Sequence, residues 1–127
     1  MNYNTSLGNA IRFIRLSKNI KQEWVAAQVG YSDKSTYAKI ECGKLKQVAI
    51  DKVNQICEAL ECESYVVLKL AVMKNFNHQI NSWEEFILSL EDCSDEELGK
   101  LISIIKEAFP QKYILYESVF ERLLNKK

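Results

Sequence analysis

The chain has 127 residues, 47% apolar and 27% charged, enough to bury one sizeable core or a small domain with an accessory helical part. One Pro and four Gly disfavour a many-stranded sheet, no apolar run reaches the ~18 residues of a membrane span, and MNYNTSLGN carries no signal-peptide pattern, so a cytoplasmic, helical protein without a membrane partner is expected. The zero net charge is unevenly divided: residues 1–60 carry nine Lys and Arg against five Asp and Glu, whereas residues 61–127 carry eight against twelve. The first half therefore suits a polyanion and the second does not.

Segment 6–18, SLGNAIRFIRLSK, places Leu7, Ala10, Ile11, Ile14 and Leu16 at near-helical spacing. Ser6 is its expected N-cap, and Asn19 fits the left-handed position that ends a helix. Segment 22–29, QEWVAAQV, reads as a second short helix stopped by Gly30. Residues 31–33 form a tight polar turn, and 34–42 a third helix that offers little to a core beyond Tyr37 and Ile40 and stops at Gly43. Segment 48–60, VAIDKVNQICEAL, gathers Ile50, Val53, Ile56, Cys57 and Leu60 on one face of a fourth. The β-branched run in 64–75, SYVVLKLAVMKN, would suit a buried strand, but no partner strand is visible, so a buried fifth helix is expected.

FNHQIN, 76–81, reads as a linker. Two capping boxes follow, Ser82 with Glu85 and Ser94 with Glu97, opening SWEEFILSLED and SDEELGKLISIIKEAF. Pro110 breaks the chain and suits the first turn of a last helix, QKYILYESVFERLLNKK. Cysteines at 42, 57, 62 and 93 form no C-x-x-C pair, and His78 is the single histidine, so thiols in a reducing compartment are expected and neither a metal nor a cofactor.

Two short helices joined across Gly30 and a polar turn match a helix-turn-helix, in which the second helix enters the DNA major groove. The run IRFIR…KQEWVAAQVGYSDKSTYAKIECGK…IDKVNQICEAL resembles the phage-repressor type of this domain, the xenobiotic-response-element family. Ile11, Arg12, Arg15, Gln22, Val25, Ala26, Gly30, Ser35, Thr36, Ile40, Glu41, Gly43 and Lys44 carry the resemblance, over about residues 6–70. It implies that Lys34, Ser35 and Lys39 face the bases, while Tyr37 and Ile40 pack inward. It also implies that Gln22, Lys44 and Lys46 meet phosphates, and that Arg15 and Glu41 form an internal ion pair; Lys21, a poor cap but a cation, is expected to meet a phosphate too. Lys21 departs from the family, whose second helix opens with Thr or Ser. Tyr37 and Ala38 stand where it has an aliphatic residue and Ser.

The expected architecture is thus all-α: a five-helix repressor-type helix-turn-helix domain in 1–75 and a helical dimerisation or accessory region in 76–127. Leu98, Leu101, Ile102, Ile104 and Ile105 make one apolar stripe there; Tyr113, Ile114, Tyr116, Val119, Phe120, Leu123 and Leu124 make a second. They would serve a homodimer, or pack into a small intramolecular bundle. The expected function is a sequence-specific regulator, a repressor that binds double-stranded DNA as a homodimer on a two-fold operator. The alternative is an antitoxin-like module whose C-terminal helices bind a partner protein. No G-x-S-x-G, phosphate-binding Gly loop or His-based constellation is present, so an enzyme is not expected.

Overall fold

The computed structural model describes residues 3–45 and 47–125; Lys46 lies outside the described residues. These contain eight α-helices and no strand. In chain order they are α1 (Tyr3–Ser17), α2 (Gln22–Gln28), α3 (Lys34–Glu41), α4 (Ile50–Ala59), α5 (Ser64–Ala71), α6 (Trp83–Ser89), α7 (Asp95–Ala108) and α8 (Pro110–Asn125). Short 3₁₀ turns occupy Lys74–Asn77 and Leu90–Asp92. Among the described residues, no helix is long and apolar enough to cross a membrane. The chain divides into two compact units, Met1–Trp83 and Glu84–Lys127.

In the first unit α1 is the central element, packed against α3, α5 and the Lys74–Asn77 turn. Its apolar face supplies Leu7, Ala10, Ile11, Phe13 and Ile14, which meet Val25, Ile40, Val53, Ile56, Leu60, Val67 and Leu70 in one core, all of them buried. A fully buried side chain of this size contributes about 1.5–3 kcal/mol. The first four helices end in the same way. Asn19, Gly30, Gly43 and Glu61 each take a positive φ, and the next residue's N–H reaches back to the carbonyl five before it, in a Schellman ending. The sequence marks three of these ends with Asn or Gly. The fourth, at Glu61, carries no such mark.

Ser6 does not cap α1. The helix begins at Tyr3, and Ser6 is buried inside it. The reason is tertiary: the first turn is held by the end of α3, where Asn4 Nδ2 donates to the Leu45 carbonyl at 2.8 Å. Nearby, a Cβ on Gly43 would come within 2.6 Å of the Thr5 Cα. Gly8 marks a second close approach, since a Cβ there would press on the Ile40 carbonyl oxygen and lie 2.5 Å from that of Glu41. Both obstacles are backbone and cannot rotate away. Gly8→Ala is therefore expected to lower stability by about 1–3 kcal/mol, the range for overpacking, although Ala is the better helix former. Urea denaturation checks this; a stabilised variant would mean that α1 and α3 can part without cost.

Residues 76–81 are not a linker. Phe76 is fully buried and Ile80 nearly so. The Phe76 ring meets the edge of Phe13 at 5.5 Å between centroids, and Asn9 Nδ2 donates to the Phe76 carbonyl at 2.9 Å. Arg12 Nη1 donates to Asn81 Oδ1 at 2.7 Å. Trp83 then covers the other side of Phe13, 5.0 Å between centroids. The first compact unit thus extends past 75, the expected end of the first domain.

In the second unit α7 packs along α8. The Ser94 box is formed: the Glu97 N–H donates to Ser94 Oγ at 3.2 Å, and the Ser94 N–H to the Glu97 carboxylate at 3.2 Å. Pro110 opens α8, whose Tyr113 and Phe120 rings stack at 5.8 Å. The whole α7 stripe from Leu98 to Ile105 is buried within the chain, whereas α8 leaves Ile114, Leu115 and Leu124 exposed.

Candidate nucleic-acid interface

The geometry of α3 begins with its cap. Asp33 is extended and accepts the Ser35 N–H at 2.9 Å, which starts the helix at Lys34. Ser35 Oγ donates to the same carboxylate oxygen at 2.5 Å. The hydroxyl and N–H of Ser35 hold the Asp33 carboxyl below its usual range. Ser35 is exposed, as expected, yet its hydroxyl hydrogen is committed to Asp33, so only the oxygen's acceptor capacity is left to face outward.

From there the helix divides by face. Tyr37, Ile40 and Glu41 are buried, while Lys34, Ser35 and Lys39 are exposed. Lys34 Nζ lies 3.9 Å from the Glu23 carboxylate across to α2, with both side chains more than half exposed. A pair so placed is worth ~0–1 kcal/mol and leaves the ammonium available. Lys21 immediately precedes α2, exposed and without a side-chain capping bond. Lys44, also exposed, directly follows the Gly43 turn.

Behind this face the predicted ion pair is present. Arg15 Nε meets Glu41 Oε2 at 2.6 Å, Nη2 meets Oε1 at 3.0 Å, and Nη1 donates to the Ile20 carbonyl at 2.7 Å. Arg15 is 7% and Glu41 1% exposed, so water does not screen the pair. Burial works to lower the Arg15 pKa, but the hydrogen bond and charge of Glu41 outweigh it and the net shift is upward. The Tyr37 hydroxyl is buried beside these two side chains, but among the described residues it reaches no hydrogen-bond partner. Burial, and then the Glu41 charge, raise its pKa far above the usual phenol value.

Gln22 has a role that sequence reasoning did not give it. Its Nε2 donates to Glu41 Oε1 at 3.0 Å, so the amide braces the carboxylate and ties the start of α2 to the end of α3. A Gln beside a buried Arg–Glu pair cannot be foreseen from spacing, because Gln22 and Glu41 are 19 apart. Lys52 was likewise missed: its Nζ donates to the Val29 carbonyl at 2.9 Å and lies 4.8 Å from the Tyr31 ring centre, bracing the turn between α2 and α3 from α4.

The structure therefore joins the half-buried Gln22 to the buried Arg15 and Glu41 and keeps Lys34, Ser35 and Lys39 on the outward side of α3. Among the described residues no group of three or more His, Cys, Asp or Glu could hold a metal ion. Compared with protein-family models, with curated proteins and with solved structures, the chain gives no match.

Proposed function

We propose that the chain is a sequence-specific regulator, a repressor of transcription that binds double-stranded DNA with α3 in the major groove. The observation that carries this reading is the division of α3. Its inner face is fixed by Tyr37, Ile40 and the buried Glu41, and its outer face leaves two lysines and a serine exposed. A polar helix held rigid from behind suits recognition of base edges. Lys21 and Lys44, outside the two helix ends, suit phosphates. A single domain of this size makes few phosphate contacts, so a homodimer on a two-fold operator completes the reading, with half-sites ~34–36 Å apart or a multiple of that.

Selection from random duplex DNA tests the whole proposal; recovery of no enriched motif at moderate salt would sink it. Within it, Lys39→Ala is expected to relax base preference at one operator position by ~1–3 kcal/mol. Lys44→Ala should weaken all sequences alike and reduce the salt slope by about one unit. Position-resolved binding profiles separate the two; uniform loss in both variants would move Lys39 to the backbone.

The competing reading, a module that binds a partner protein, draws on Ile114 and Leu115, 70% and 65% exposed on α8. Two adjacent apolar side chains left open on a helix suit an interface, either with a second copy or with another protein. Sedimentation of the purified chain alone distinguishes these occupants.

A further inference from the structure

Cys57 and Cys62 stand five residues apart, which on a continuous helix would put them on different faces. The positive φ of Glu61, 52°, turns the chain back at the end of α4. The Cys62 N–H then donates to the Cys57 carbonyl at 2.9 Å, and the Glu61 N–H to that of Glu58 at 3.1 Å. In this ending the side chains at the two ends of the longer hydrogen bond frequently come together. Here both are thiols. They line the same open cleft, together with Glu58, Glu61 and Glu63, and neither is in a disulfide.

We propose that Cys57 and Cys62 form a two-coordinate site for a soft monovalent metal cation of the Cu(I) class. Soft thiolates select such cations, which accept two sulfur ligands, whereas zinc takes four ligands that the described residues do not assemble here. Three carboxylates at the cleft raise the local concentration of cations. On binding, each thiol releases its proton to water and each sulfur gives a lone pair to the metal. Two S–Cu bonds form, two protons leave, and neither sulfur nor copper changes oxidation state. The resulting single negative charge lies near Lys18, whose Nζ donates to the Glu61 carbonyl at 2.9 Å.

Burial pushes the Cys57 thiol up to about 12, and the neighbouring Cys62 adds to that. Burial also raises Cys62, with Lys18 opposing and Glu63 assisting.

The test is titration of the reduced full-length protein, without oxygen, against the Cu(I)–bicinchoninate complex. One copper per chain should be withdrawn from the chelator. Uptake should persist in Cys42→Ser/Cys93→Ser and disappear in Cys62→Ser and in Cys57→Ser. Cys62 is only half-buried, so its serine variant keeps the test decisive if Cys57→Ser loses its circular dichroism. No withdrawal by the wild type, uptake that survives in Cys62→Ser, or uptake that follows Cys42 and Cys93 would each overturn the site.

Discussion

Glu41→Ala is expected to cost about 3–5 kcal/mol of unfolding free energy, measured by urea denaturation without DNA. The substitution leaves Arg15, 7% exposed, with a buried positive charge and, among the described residues, the Ile20 carbonyl as its remaining partner. It also strips Gln22 of its acceptor, so the start of α2 and the end of α3 lose their common brace. Removing one ion of a buried pair is far more costly than removing both. The double variant Arg15→Met/Glu41→Leu should therefore recover much of the loss, a coupling that a thermodynamic cycle reads directly. An unchanged melting temperature in Glu41→Ala, together with lost DNA binding, would move Glu41 from scaffold to contact residue.

That pair was legible because an Arg and a Glu stand at the positions that are paired in the family the sequence resembles, and the structure buries both. Helix ends were legible for a similar reason. Asn19, Gly30 and Gly43 each tolerate a positive φ that most residues avoid, and the structure uses all three. Local chemistry failed where the deciding partner is distant in sequence. Ser6 looks like a cap, but α1 starts earlier because Asn4 bonds the Leu45 carbonyl and Thr5 lies close against Gly43. Gly8 looks like a weak point of a helix, and only the carbonyls of Ile40 and Glu41, more than thirty residues on, explain it. On the candidate interface, sequence located the lysines of α3. It could not show that Ser35 is half-occupied by its own cap, since an Asp two residues before a Ser fits many turns.

The largest misreading, residues 76–81, yields the other strong expectation: Phe76→Ala in the full chain should cost about 3–5 kcal/mol, the range for a buried Phe. Asn, His and Gln dominate FNHQIN, so its composition is that of a loop. Its two apolar residues nevertheless sit at Phe76 and Ile80, four apart, and both are buried in the structure. Phe13 explains why. Phe13 is buried on α1, and its ring lies against Phe76 at 5.5 Å and Trp83 at 5.0 Å between centroids. Asn9 anchors the segment through the Phe76 carbonyl, a bond that Phe76→Ala keeps, so the loss would report the missing ring and its cavity. Asn77→Ala, at an exposed neighbour, is the control and should lie within ~0.5 kcal/mol of the parent. The same logic bears on truncation. A chain cut after Asn75 would discard Phe76, Ile80 and Trp83 together, a sum comparable with the whole stability of a small domain, ~5–15 kcal/mol. It should therefore be unfolded by circular dichroism, whereas a chain retaining residues through Trp83 keeps the enclosure of Phe13 and should show a cooperative melt. A well-folded 1–75 fragment would mean that Phe13 finds other cover, and that the polar composition of 76–81 was the truer guide.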